Sequence, residues 1–224
     1  FDGVHIINGE VVSPVPEILI TLKDENPFLL MDEPSDTAFF QIFVSRPGGD
    51  FERVFFSGMN PDYFIDFIPA IDERNKPKIL YRPNFRNDGQ HRLLVQASDK
   101  SGNASGNIDY RIDFEVINRS TITEVLNYPN PFTTSTQFIF TLTGTMVPDE
   151  FKIQIMTVSG KIVREITQAE FGPIRVGRNR SMYRWDGRDE FGDRLANGTY
   201  LYRVEMHLAG GEVASDMQRL VMMR

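Results

Sequence analysis

The chain has 224 residues, 41% hydrophobic and 25% charged, the composition of a folding globular chain with room for two modules of about 100 residues rather than of a disordered or collagen-like one. Its formal net charge of −7 is unevenly spread: residues 1–117 hold 11 Lys and Arg against 19 Asp and Glu, and residues 118–224 hold 13 against 12. Neither part has the basic excess of a nucleic-acid binder, no apolar run reaches the ~18 residues of a bilayer-spanning helix, and zero cysteines exclude a disulfide framework, a thiolate zinc site and a cysteine nucleophile.

Phe1 opens inside an apolar pattern with no basic-then-apolar leader, as expected of a piece of a longer chain whose signal lies upstream. From there the sequence reads almost wholly at period two. Ile18, Ile20 and Leu22 alternate with Leu19 and Thr21; Phe40, Ile42 and Val44 repeat the pattern, as do Leu93, Val95 and Ala97. In the run Ile108 to Ile117 the apolar residues Ile108, Tyr110, Ile112, Phe114 and Val116 alternate with Asp109, Arg111, Asp113 and Glu115. One face therefore lies in a core and the other in water. Residues 58–77, with Tyr63, Phe64, Phe67 and Ile68, fit a crossing loop, a short helix or a strand. The polar stretch 118–123 marks the boundary and contains no flexible linker, which predicts modules 1–118 and 119–224 packed as a semi-rigid rod.

In the second module Tyr128-Pro129-Asn130-Pro131-Phe132 predicts an extended lead-in, since each proline fixes its own φ and pushes its predecessor toward β or polyproline II. Phe151, Ile153 and Ile155 then alternate with Lys152 and Gln154, and Tyr200, Tyr202, Val204 and Met206 with Leu201, Arg203 and Glu205. Turn residues separate the strands, among them Asn87-Asp88-Gly89, Ser159-Gly160 and Asn197-Gly198. No amphipathic helix of ordinary length is visible. The fold class is all-β: two immunoglobulin-like antiparallel β-sandwich domains in tandem.

Candidate chemistry is sparse. Asp24 and Glu25 follow one strand, and Asp99 and Asn103 bracket the turn after another; oxygen ligands of this kind suit calcium, while the competing reading is a turn held by its own Asp and Asn side chains. Asp186, Asp189, Glu190 and Asp193 lack the ligand order of a calcium hand, and Trp185 beside them is expected to close the core. His5, His91 and His207 stand far apart, no Gly-rich phosphate loop opens a helix, and no G-x-S-x-G elbow occurs, so no cofactor and no catalytic residue is expected in this chain. A carbohydrate-binding or adhesive module is the alternative function, with Tyr63, Phe64 and Phe67 as its aromatic platform.

Leu126-Asn127-Tyr128-Pro129-Asn130-Pro131-Phe132, Val158-Ser159-Gly160-Lys161-Ile162-Val163, Trp185-Asp186-Gly187-Arg188-Asp189, Asn197-Gly198-Thr199-Tyr200-Leu201-Tyr202-Arg203 and the closing Arg219-Leu220-Val221-Met222-Met223-Arg224 occur in this order. In that order and spacing they resemble the Ig-like domain of the flagellar hook-capping protein and the C-terminal sorting domains of type IX secretion. Asp2-Gly3-Val4-His5-Ile6, Pro16-Glu17-Ile18-Leu19-Ile20 and Asp24-Glu25-Asn26 are similar to the Ig-like module preceding such a tail in gingipain-type cysteine peptidases, including the sortase-like subfamily. The resemblance implies an extracytoplasmic monomer, in the periplasm in transit and then secreted or held at the outer-membrane surface. It also implies an upstream domain, in an alternative reading a cysteine peptidase that the modules buttress, and outer-membrane secretion components that read the tail. By position Pro129, Asn130, Pro131, Gly160, Gly198, Tyr200 and Arg224 match the recurrent tail motifs. The sortase pair of Cys and His cannot be carried over to a chain without cysteine.

Overall fold

In a computed structural model, which describes residues 1–23, 26, 28–56, 60–72, 75–105, 109–208 and 211–223, the chain divides into two compact units, Phe1–Asn118 and Arg119–Arg224. Among the described residues helix is limited to a six-residue 3₁₀ turn, Pro34–Phe39, and a four-residue α1, Gln168–Phe171, and no helix is long and apolar enough to cross a membrane.

The first unit comprises β1 (Glu10–Val12), β2 (Ile18–Thr21), β3 (Phe40–Ser45), β4 (Phe51–Val54), β5 (Tyr63–Ile68), β6 (Lys78–Pro83), β7 (Gly89–Ala97) and β8 (Tyr110–Val116). One sheet has the order β1-β8-β7-β3-β4 and the other β2-β6-β5, with β1 parallel to β8 and the remaining pairs antiparallel. This is an immunoglobulin-like sandwich. The period-two residues Ile42, Val44, Leu93, Ile112, Phe114 and Val116 all face inward and are buried, together with Ile18 and Ile79 from the facing sheet. Strand β8 is described from Tyr110, so Ile108 of the sequence-predicted strand lies outside the described residues. The ambiguous stretch holds β5, a strand whose Tyr63, Ile65 and Phe67 pack against the core while Phe64, Asp66 and Ile68 point out.

Burial also captures a titratable side chain. His91 is fully buried between Phe85 and Phe114, with ring centroids 4.6 and 5.7 Å away, and its Nδ1 lies 3.0 Å from the Gly89 carbonyl. Nε2 has no hydrogen-bond partner, so the proton resides on Nδ1 and the ring is neutral. Desolvation lowers the pKa of His91; the Arg46 charge acts in the same direction against the Gly89 bond. The unfolded chain then takes up a proton as pH falls below about 6.5 and the folded chain only at lower pH, so between the two stability drops with acid by at most about 1.4 kcal/mol per pH unit from this group. Melting curves between pH 7.5 and 5 should show a smaller loss in His91→Leu than in the parent, whatever the two absolute stabilities.

The second unit comprises β9 (Ile122–Tyr128), β10 (Gln137–Leu142), β11 (Glu150–Thr157), β12 (Ile162–Thr167), β13 (Gly177–Arg180), β14 (Gly198–Leu208), β15 (Gly211–Ala214) and β16 (Gln218–Met222). Its sheets are β13-β10-β9 and β12-β11-β14, where the eleven-residue β14 pairs with β16 along its first half and with β15 along its second. The sheets enclose Phe138, Phe140, Phe151, Ile153, Tyr202, Val204 and Trp185. Phe140, Phe151 and Phe171 form a ring triad with centroids 4.8–5.3 Å apart, which is how the short α1 is fixed to the core.

Candidate functional site

Most of the sequence-predicted motif residues gather around the terminal strand β16. Strand β14 runs antiparallel to β16, so Gly198 lies opposite Met222 and Tyr200 opposite Leu220. On its other side β14 pairs with β11, which sets Tyr200 opposite Thr157, and the tip that follows is closed by Gly160 N donating to Thr157 O at 2.9 Å. The outer edge of β16 is covered by the proline segment. Asn130 Nδ2 donates to Arg219 O at 2.9 Å and Val221 N donates to Asn130 Oδ1 at 2.9 Å; one residue pair further on, Phe132 N donates to Val221 O at 3.0 Å and Met223 N to Phe132 O at 2.9 Å. A side-chain amide thus replaces one rung of a strand ladder, and a backbone bridge supplies the next.

The geometry corrects the expected extended lead-in. Both the Tyr128–Pro129 and Asn130–Pro131 peptides are cis, and the chain bends over residues 129–131. Phe132 is the buried anchor at 1% exposure, whereas Tyr128 is 64% exposed. The Pro129 carbonyl accepts from Thr136 Oγ1 at 2.8 Å and from Asn127 Nδ2 at 3.3 Å, which holds the bend to β9 and β10. Asn130→Ala removes two exposed charge-neutral bonds and should cost about 1–2 kcal/mol. Native-state hydrogen exchange of the Val221 amide is the direct readout, with faster exchange expected there and little change at Phe132.

Tyr200 is buried, and its hydroxyl donates to Ala196 O at 2.8 Å, the tyrosine corner of immunoglobulin sandwiches. Gly160 adopts φ 86°, with open space where a Cβ would sit, so glycine is favoured there by conformation and not by crowding. Arg224 lies outside the described residues.

The acidic loop after Trp185 spends its carboxylates locally. Asp186 Oδ2 accepts from Arg188 Nε at 3.0 Å, Asp189 Oδ1 accepts from the amides of Phe191 and Asp193 at 3.0 and 2.9 Å, and Glu190 pairs with Arg164 at 3.0 Å. Arg164 also binds Glu170 and lies 5.8 Å over the Tyr183 ring, so one guanidinium ties β12 to α1 and to this loop.

The proposed calcium corner resolves similarly at Asp99. Its Oδ1 accepts from Asn103 N at 2.8 Å and its Oδ2 from Asn103 Nδ2 at 2.7 Å, and these two bonds hold its carboxyl below the usual carboxylate range. Asp24 and Glu25 lie outside the described residues; among those described, no three His, Asp or Glu side chains converge as metal ligands. The ammonium of Lys100 reaches Asp36 at 3.1 Å and Asp32 at 3.6 Å, which supplies positive charge to that end of the unit from within the chain.

The aromatic platform of the alternative reading does not form. Tyr63 packs edge-on to Tyr81 with centroids 5.7 Å apart, and Phe67 meets Phe40 at 5.8 Å, both inside the sandwich. Phe64, on the opposite face of the same strand, is half-exposed under the Arg82 guanidinium at 5.8 Å. Strand alternation separates the three rings onto two faces.

The strand order of both units defines the class: tandem immunoglobulin- and fibronectin-type β-sandwich modules. No protein-family model matches the chain, and no curated protein sequence matches it. Among solved structures, the chain is similar to dimeric latent PorU from Porphyromonas gingivalis at 18% identity and TM-score 0.40, over 99% of this chain and 19% of that one. It is similar to the FN1–FN3 domains of chicken CNTN1 at 10% identity and TM-score 0.30, over 97% of this chain and 69% of that one. The fibronectin(III)-like modules of Clostridium thermocellum CbhA give 10% identity and TM-score 0.27, over 96% of this chain and 89% of that one. The chain spans about a fifth of the PorU chain.

Proposed function

We infer that this chain is a non-catalytic region of a larger secreted or surface-attached bacterial protein, in which residues 119–224 direct type IX secretion and surface attachment and residues 1–118 act as a spacer. The observation that carries this reading is the assembly around β16: segments that resemble sorting-domain motifs, although up to 91 residues apart, are hydrogen-bonded into one terminal element. A folded tail of this kind offers an outer-membrane secretion machine a defined edge and turn cluster to grip. The parent's chemistry, a gingipain-type cysteine peptidase in this reading, belongs to the upstream domain. The machine's components are the expected partners, and the route runs through the periplasm to the cell surface.

The test is deletion of residues 119–224 from the parent. The shortened protein should accumulate in the periplasm, as read by fractionation and surface protease accessibility; normal surface display of the shortened parent would refute the assignment.

A further inference from the structure

The first unit leaves a strand edge open beside an apolar cleft. Strand β2 is the outermost strand of the β2-β6-β5 sheet. Ile18 pairs with Tyr81 and Ile20 with Ile79, and the register continues where Leu22 N donates to Pro77 O at 3.2 Å, so the even-numbered residues address β6. Backbone groups alternate in direction along an antiparallel ladder, which sends the N–H and C=O of Leu19 and Thr21 to the opposite side. There the chain makes a single rung with itself: Asp2 N donates to Glu17 O at 2.7 Å and Glu17 N to Asp2 Oδ1 at 2.8 Å. It then turns away through Gly3, φ 75°, and among the described residues no hydrogen bond reaches the outward backbone groups of Leu19 or Thr21.

Beside this edge lies a cleft of about 570 Å³ lined by Phe1, His5, Ile20, Leu22, Phe40 and Tyr110, and among the described residues no Asp, Glu, Lys or Arg side chain contributes to its wall. Sandwich proteins usually guard an edge strand with proline, an inward charge or a bulge. Residues 18–21 carry none of these, and Leu19 is half-exposed.

We propose that the β2 edge is a strand-addition site for an extended, uncharged, β-branched or aliphatic segment of another polypeptide. Main-chain pairing to Leu19 and Thr21 extends the rung begun by Asp2, and alternate side chains of the segment enter the cleft. At ~3.3 Å per residue the paired length is four or five residues. A cleft of this volume admits one extended strand rather than the face of a second sandwich, and its uncharged wall sets the chemistry of the guest.

The probe is a fluorescein-labelled hexapeptide of alternating valine and threonine, titrated by fluorescence anisotropy into the full 224-residue chain. Saturable binding is expected, with at least a tenfold loss for the same peptide N-methylated at alternate residues. Thr21→Pro should produce the same loss, because proline there removes an outward N–H and no bond to β6. Failure of the hexapeptide to bind, or equal binding of its methylated form, overturns the proposal, and the methylated peptide decides the matter even if Thr21→Pro folds poorly. Sedimentation equilibrium separates the other occupant: a dimer of the parent that Thr21→Pro dissociates would assign the edge to a second copy of this chain and overturn the foreign segment.

Discussion

Trp185→Ala is expected to destabilise the second unit by about 3–5 kcal/mol, the range for deleting a fully buried large aromatic side chain. Trp185 has no exposed surface, its ring centroid is 5.7 Å from that of Phe132, and its Nε1 donates to Arg188 O at 2.8 Å. Its backbone exchanges two hydrogen bonds with Thr136, both at 2.9 Å, so the backbone stays anchored and the side-chain space cannot easily collapse. Two losses therefore add: the cavity itself and an Arg188 carbonyl that must find water. The cavity also opens against Phe132, whose N–H and C=O secure β16, so the Phe132 and Met223 amides should gain exchange rate in the same variant. Against a typical total of about 5–15 kcal/mol, the change should lower the melting temperature by more than about 10 °C. Trp185 is the sole tryptophan, so the variant is followed by circular dichroism rather than fluorescence. Trp185→Phe keeps most of the volume and should recover more than half of the loss.

The parts of the fold that the sequence makes legible are the strands with one wet and one dry face. Ile112, Phe114 and Val116 alternate with polar residues because β8 has a partly solvated outer surface; in β11 Phe151, Ile153 and Ile155 alternate with Lys152 and Gln154, although Gln154 is itself buried. Legibility fails where the outer face is also apolar or also covered. In β5 the outward Phe64 and Ile68 erase the alternation. In β9 the ladder slips between Ile139 and Thr141 of its partner strand, and Glu124, at φ 51°, shifts the inward phase from Ile122 to Val125. Local spacing does encode the Asp99–Asn103 turn, because both partners lie on one tight loop. It cannot encode the Asn130 rung, whose partners are 89 and 91 residues away, or the Arg164–Glu190 pair, 26 residues apart. The motif residues could be picked out as a group by resemblance. Their shared structural task, holding one terminal strand, follows only from the long-range pairing.

The first unit carries its own concentrated dependence at Asn75, a residue that no sequence pattern singles out. Asn75 is fully buried at φ 45°, where a non-glycine residue is uncommon and asparagine is among those tolerated. Its Oδ1 accepts from Met31 N at 2.9 Å, and its Nδ2 donates to Leu29 O at 3.0 Å and Asn26 O at 3.1 Å. Together with Ala70 N donating to Met31 O at 2.9 Å, these bonds fasten two loops to each other beside the buried Met31 side chain. Phe28 and Ile71, about 90% exposed, flank this tie and contribute almost no burial. Asn75→Ala should therefore destabilise the unit by roughly 2–5 kcal/mol: about 1–2 for alanine in the left-handed region and about 1–3 for the buried Met31 amide left without an acceptor. Asn75→Gly separates the two contributions, because glycine relieves the backbone conformation but restores none of the bonds. Urea unfolding followed by circular dichroism should rank the parent above Asn75→Gly and Asn75→Gly above Asn75→Ala, with about 1 kcal/mol between the variants. Equal stability of glycine and alanine would place the whole cost in the hydrogen bonds, and an alanine variant as stable as the parent would remove Asn75 from the role assigned to it.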